Sequence, residues 1–392
     1  MTKKTSPLSD KDNAIYADFI KWHETSWYGA PGSDALLPLI ANRYTVEEAE
    51  FLTGIPFGPK PVDFLADLKK LDKRELRKGL DELAHKGLVY RFDREGTTYY
   101  SVNDIFMLMR TSGWPGGKEE TDRQFAVLGD RYFPDFMKPW ENISEKALRV
   151  LPINAVIEDD RSVLPYEEIR KVLDSYTYFC VTHCPCRMKK ALATGVPDKN
   201  PTEVCLHFDR LAHYIVENGL GREITRREAE EILEKCADLG LIHAISNQQQ
   251  ATDTICNCCS CCCMWFESVR RLKHAGGLVP SNFHISVTQE TCTGCGLCVK
   301  RCPMDALQLD DAPEARGRKT TATDTQGNEK LLVNKSGKVA RANVDLCIGC
   351  GVCAHKCPSR SLTLRRNTSD HHPPETARDW AIQFITQRNA AR

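Results

Sequence analysis

The first 179 residues contain no cysteine at all. Net charge is missing as well, because 53 basic residues balance 53 acidic ones. That balance argues against a partner recognised by bulk charge, such as nucleic acid or an anionic membrane. No stretch approaches about 18 uninterrupted apolar residues, so no transmembrane helix is expected. The opening MTKKTSPLSDKDNAIYADFI has two lysines but no apolar run behind them. It therefore lacks the pattern of a secretory leader, and a cytoplasmic location is the expectation. What remains is ordinary: 41% hydrophobic and 27% charged residues, and a length that suggests about two to four domains with real cores.

Against that background the 19 cysteines stand out. Their number is odd, and all lie from Cys180 onward, most of them in crowded groups. A disulfide framework usually spreads an even number of cysteines through a short secreted chain. Tight groups in a long chain without a leader point instead to metal ligands or redox thiols.

The fold class expected is α+β multidomain. Residues 1–120 read as a small α+β unit with a helical run Thr45–Leu52. A second helix is expected over Asp72–Gly87, with Asp72 as N-cap, Glu75 in capping-box position and Gly87 just past the end. LVYRFDREGTTYYSV follows as a hairpin turning at Asp93–Gly96. Helix, helix, hairpin resembles a winged-helix domain. Residues 121–285 form a cysteine-rich middle region, expected to be largely helical over Tyr166–Tyr176, Val204–Asn218 and Thr225–Gly240, with a short β run at Thr177–His183. Cys236 lies inside the third of these helices and reads as a buried structural cysteine. Residues 286–366 carry the most regular cysteine pattern. Residues 367–392 are a polar linker and a short amphipathic helix expected to dock on the body of the protein.

Two runs repeat one spacing: Cys292-x2-Cys295-x2-Cys298-x3-Cys302-Pro303 and Cys347-x2-Cys350-x2-Cys353-x3-Cys357-Pro358. Three thiolates on one tight loop can cover a face of a cubane while backbone N–H groups point at its sulfurs. Gly294, Gly296, Gly349 and Gly351 keep side chains away from that approach. Zinc ribbons usually present two separated C-x2-C pairs, a different arrangement. The doubled run resembles the bacterial two-cluster ferredoxin pattern, in which the fourth cysteine ligates the other cluster. The resemblance implies two [4Fe–4S] clusters, one on Cys292, Cys295, Cys298 and Cys357 and the other on Cys347, Cys350, Cys353 and Cys302. The 44 residues between Cys302 and Cys347 exceed what a compact module needs. Residues 311–338 are read as a surface insertion that covers one cluster or touches a partner.

The remaining cysteines fall into Cys180, Cys184, Cys186 and Cys205, and the dense run Cys256, Cys258, Cys259, Cys261, Cys262 and Cys263. Alternate side chains of a strand face opposite ways, so the dense run cannot grip one ion from a regular strand, although a loop could divide it between two sites. VTHCPCR, EVCLHF and CNCCSCCC together resemble a segment of multi-cluster ferredoxin-like proteins of anaerobes. The resemblance implies an additional iron–sulfur cluster, with Cys184, Cys186, Cys205, Cys256, Cys258, Cys259, Cys262 and Cys263 as candidate ligands. Arg187 and His183 would stand beside it, or serve the core and surface as such residues commonly do. A structural zinc knot is the alternative.

Three functions follow. The leading one is an electron-transfer protein or subunit that relays electrons to a redox partner protein, a flavoprotein or metalloenzyme. The second is a reductase acting on a small molecule at the middle cluster. The third is a redox-sensing DNA-binding regulator, with Lys73, Arg74, Arg77 and Lys78 toward phosphates. Asp72, Glu75, Asp81 and Glu82 on the same helix count against DNA. A homo-oligomer is compatible with the sequence.

Overall fold

The computed structural model describes residues 8–159, 163–272, 276–323, 329–368 and 370–390. It divides into two compact units that are not contiguous segments: residues 1–144, 178–224 and 384–392 form one, and 145–177 with 225–383 form the other.

The first unit opens with helices Asp10–His23, Leu36–Arg43, Val46–Leu52, Val62–Lys69 and Lys73–His85. Asp72 caps the last of these, its side chain accepting from the N–H groups of Arg74 and Glu75. Leu76, Leu80, Leu83 and Ala84 form its buried stripe. Gly87 follows at φ +74°, where an added Cβ would lie 2.9 Å from Thr111. The hairpin Val89–Arg94 and Thr97–Val102 then pairs antiparallel, and Lys60–Pro61 adds a short outer strand.

The same unit continues through the 18-residue helix Glu120–Met137 to a second antiparallel sheet. There Phe179–His183 lies between Glu203–Phe208 and Arg222–Ile224. The single helix expected over Val204–Asn218 is in fact a strand, Glu203–Phe208, followed by helix Asp209–Glu217. All of Val204–Phe208 is buried, which a strand covered on both faces permits and an amphipathic helix does not. Cys180 belongs to the core here, with Trp114, Ala212, Tyr214 and Ile215. From helix Ala377–Ala390, Phe384 packs its ring against those of Tyr28 and Trp140 at tilted angles. Arg388 donates to the carbonyls of Ser26 and Trp27 at 2.6 and 2.7 Å.

The second unit contains the antiparallel strands Leu148–Val150, Ile242–Ser246 and Thr254–Cys258. Helix Arg226–Leu239 runs as expected from its cap Thr225 to Gly240, with Cys236 fully buried. The helix expected over Tyr166–Tyr176 is shortened to Ile169–Asp174 after a 3-10 turn at Pro165–Glu167. Arg149 takes the Tyr166 carbonyl at 2.7 Å, an acceptor that a longer helix would have used internally. Among the described residues, no helix is long and apolar enough to cross a membrane.

The rest of this unit is a pseudo-twofold repeat. Strand Phe283–Val287, a cysteine loop, helix Leu297–Arg301 and strand Leu307–Asp311 make one half. Lys338–Ala342, a cysteine loop, helix Val352–His355 and Leu362–Arg366 make the other. The halves interlock because Phe283–Val287 pairs with Leu362–Arg366, and Leu307–Asp311 with Lys338–Ala342. Asp311 faces Lys338 at the last rung, so the insertion leaves and rejoins the module at one point. Its described part is a second hairpin, Lys319–Thr323 with Glu329–Val333.

Two buried histidines make stability acid-sensitive. His23, packed among Phe19, Trp22, Tyr44 and Phe57, is pushed down to about 3 by burial. Burial likewise lowers His243 to about 4, although its Nδ1 meets Asn257 Oδ1 at 2.7 Å. Below the ordinary histidine value near 6.5 the unfolded chain binds protons that the folded chain refuses. Their contribution is therefore intact above about pH 6.5 and is lost as pH falls toward the depressed values. His23→Phe preserves ring packing and removes one of these protons. Denaturant unfolding followed by tryptophan fluorescence under anaerobic conditions should show a smaller loss of stability between pH 6.5 and 5 for the variant than for the parent. Equal losses would contradict the role given to His23.

Candidate metal centres

In the interlocked repeat, each cysteine loop begins with its first cysteine against a neighbouring strand. Ala340 N–H points at Cys292 Sγ at 3.4 Å, and Ile285 N–H at Cys347 Sγ at the same distance. The Ala306 N–H does so for Cys302 at 3.2 Å. The loops then turn through Gly294 and Gly349, at φ +63° and +64°. A Cβ on Gly294 would lie 2.2 Å from Ser336 Oγ and 2.3 Å from the Lys338 carbonyl oxygen. On Gly349 it would lie 2.0 Å from Ser281 Oγ and 2.5 Å from the Phe283 carbonyl oxygen. These glycines are needed for backbone approach as well as for the left-handed turn.

Two cavities result. One is lined by Cys292, Cys295, Cys298 and Cys357, with Pro358 and Leu362. The other is lined by Cys302, Cys347, Cys350 and Cys353, with Pro303 and Ile285. Three cysteines of each set come from one loop and the fourth from the other loop. Burial pushes the Cys298 thiol up to about 11, with Cys357, Cys292 and Cys295 adding to it. Burial pushes Cys350 up to about 12, with Cys347 and Cys302 adding to it. Four crowded thiols in an apolar cavity resist ionisation by themselves, and a bound cation removes that cost. The donor set, the apolar walls and the N–H groups aimed at sulfur all fit an iron–sulfur cluster.

The base of the insertion supports the first loop. Asn334 is 1% exposed and donates to the carbonyls of Cys292 and Lys338 at 3.0 and 2.8 Å. Ser336 Oγ donates to the Gly294 carbonyl at 3.1 Å. On the other side of the repeat, Arg301 donates to the carbonyls of Val352, Ala237 and Asp238 at 3.0–3.1 Å. None of these three residues stands out in the sequence, because a cluster-supporting asparagine, serine or arginine has no spacing signature.

The family model for a 4Fe-4S dicluster domain matches residues 291–361. The chain is 34% identical over 80 residues to a ferredoxin-3 of Rhodobacter capsulatus, a match covering 20% of this chain and 77% of that protein. The chain belongs to the dicluster ferredoxin family. A ferredoxin-3 of a Nostoc species is 29% identical over 92 residues, 24% of this chain and 88% of that protein. A mitochondrial NADP-dependent pyruvate dehydrogenase of Euglena gracilis is 48% identical over 46 residues, 12% of this chain and 3% of that protein. This dicluster ferredoxin holds two [4Fe–4S] clusters in that domain and has an iron–sulfur electron-transfer role.

The other cysteines lie in both units. In the first, Cys184 occupies the position just before helix Pro185–Thr194 and Cys186 sits in its first turn. Cys184 is held well above the usual thiol range, first by its hydrogen bond with Cys186 and then by burial, while the Arg187 charge opposes the rise. Cys205 adds to the rise from the neighbouring strand and also hydrogen-bonds His207. Arg187 is fully buried and donates to the Pro201 carbonyl at 2.8 Å. His183 meets Thr202 Oγ1 at 2.9 Å.

In the second unit the dense run is divided. Cys256 and Cys258, two apart on strand Thr254–Cys258, share a face. Cys258 hydrogen-bonds both Cys256 and Cys263, and these bonds followed by burial hold its thiol well above the usual range. Cys259, Cys261 and Cys262 form a separate set on the turn that follows, with all three sulfurs within 4.8 Å of one another. Cys261 was left out of the ligand candidates read from sequence.

Proposed function

We propose that the chain is a multi-cluster electron relay. The supporting observation is the pair of cavities, each completed by a cysteine from the opposite loop. On this reading Cys292, Cys295, Cys298 and Cys357 hold one cluster, and Cys347, Cys350, Cys353 and Cys302 the other. Each cluster supplies one-electron redox chemistry when bound. The chain's own residues do the rest: thiolates hold, backbone N–H groups lower charge on sulfur, and apolar walls restrict water. At least one further iron–sulfur centre draws on the thiols outside this domain, with Cys184, Cys186 and Cys205 or Cys256, Cys258 and Cys263 as its source. The partner is a flavoprotein or metalloenzyme.

The N-terminal helices and hairpin are proposed as a winged-helix-like module that binds protein. Two cations on its second long helix already have acidic partners: Lys73 pairs with Asp63, and Arg77 approaches Asp81 at 3.7 Å. A reductase reading is favoured by one feature, the buried Arg187 charge beside Cys184.

The test is stoichiometry. Anaerobically purified full-length protein should carry at least about eight irons and eight acid-labile sulfides per chain from two cubanes, and more if the further centre exists. Eight irons that survive unchanged in Cys184→Ser and Cys258→Ser variants would remove the further centre. Zinc without labile sulfide would remove the relay itself.

A further inference from the structure

We propose that Cys259, Cys261 and Cys262 form a mononuclear site for a thiophilic d10 ion, Zn²⁺, distinct from any iron–sulfur centre. Cys261 Sγ lies 3.5 Å from Cys262 Sγ, and all three sulfurs fall within 4.8 Å of one another. With metal–sulfur bonds of about 2.3 Å, a tetrahedral ion sets its ligand sulfurs about 3.8 Å apart. A cubane instead binds each thiolate to a different iron and spreads them further. This chain shows the contrast directly, because among the described residues the eight dicluster cysteines form no set of three so close.

The turn provides for three ligands. It joins strand Thr254–Cys258 to helix Met264–Glu267. The Cys263 N–H closes it on the Cys259 carbonyl at 3.2 Å. Arg270 donates to Ser260 Oγ at 3.1 Å across the same turn. Cys259 and Cys262 are 8% and 4% exposed, whereas Cys261 is exposed. The site therefore has a floor of two buried thiols and one exposed thiol, and a fourth ligand completes the tetrahedron. Three thiolates make it soft, which selects Zn²⁺ over Mg²⁺ or Ca²⁺. Binding ionises the thiols and releases their protons, so affinity falls as pH falls.

The proposal does not depend on the further iron–sulfur centre, because zinc and iron are counted separately. Full-length protein, purified anaerobically and given one equivalent of Zn²⁺, should retain about one zinc after gel filtration. Its zinc X-ray absorption should show sulfur-dominated coordination near 2.3 Å. Cys261→Ser, at an exposed position that tolerates the change, should lose the zinc and keep the parent iron content. Cys262→Ser should do the same. Three results would overturn the proposal: iron lost in Cys261→Ser, zinc retained in both variants, or a Cys261–Cys262 disulfide in anaerobically purified parent protein that takes up no zinc. The first would assign the trio to the iron–sulfur centre, and the third would make it a redox pair.

Discussion

Cys357→Ser is expected to abolish, or convert to a three-iron form, the cluster served by Cys292, Cys295 and Cys298, leaving the other intact. The substituted residue is 59 positions from Cys298 in the chain, yet it lines the same cavity. Serine is a harder and far more basic ligand than thiolate, so the iron at that corner is held weakly. The decisive comparison pairs variants by electron paramagnetic resonance of the reduced protein. Cys357→Ser should leave the same residual signal as Cys295→Ser, and Cys302→Ser the same as Cys350→Ser. If Cys357→Ser matched Cys350→Ser instead, each loop would ligate its own fourth cysteine and the crossed assignment would fail.

Gly349→Ala should cost as much as losing a ligand. The new Cβ would meet the Phe283 backbone oxygen at 2.5 Å and Ser281 Oγ at 2.0 Å, at a φ of +64°. The serine can rotate, but the carbonyl belongs to a strand paired with Leu362–Arg366. The left-handed strain alone costs about 1–3 kcal/mol, and displacement of the loop adds to it. Iron content should fall by the equivalent of one cubane, with the cluster lined by Cys347, Cys350, Cys353 and Cys302 missing. Gly317→Ala is the control. It has a similar φ of +82° with nothing within 4 Å, so it carries the strain without the collision. Gly317→Ala should be mildly destabilised and fully loaded with iron. Equal iron loss in both variants would mean that strain, and not close approach, fixes this loop.

Local patterns survived folding where the chemistry was local. Asp72 caps its helix and Gly87 ends it because a side-chain oxygen and a missing Cβ act over a few residues. Helix Arg226–Leu239 runs between its expected cap Thr225 and Gly240 for the same reason. Val204–Phe208 misled because its apolar run fits either a helix or a fully buried strand, and pairing with Phe179–His183 decides between them. The middle region, expected to be helical, carries that sheet as a result.

The sequence by itself determined the two cubane loops. C-x2-C-x2-C with glycines between is a constraint of one tight turn, and its fourth cysteine and proline complete a pattern that chance does not repeat. The charged and small residues of 311–338 also read as a surface insertion between the two loops. Only the tertiary structure decided that this insertion braces the first loop through Asn334 and Ser336. It alone divided six crowded cysteines into Cys256, Cys258 and Cys263 on one side and Cys259, Cys261 and Cys262 on the other. The physical reason is the same in both cases. A sequence records which donors are present, but the distance between two sulfurs, or from an amide to a distant carbonyl, is set by how the backbone turns and what it packs upon.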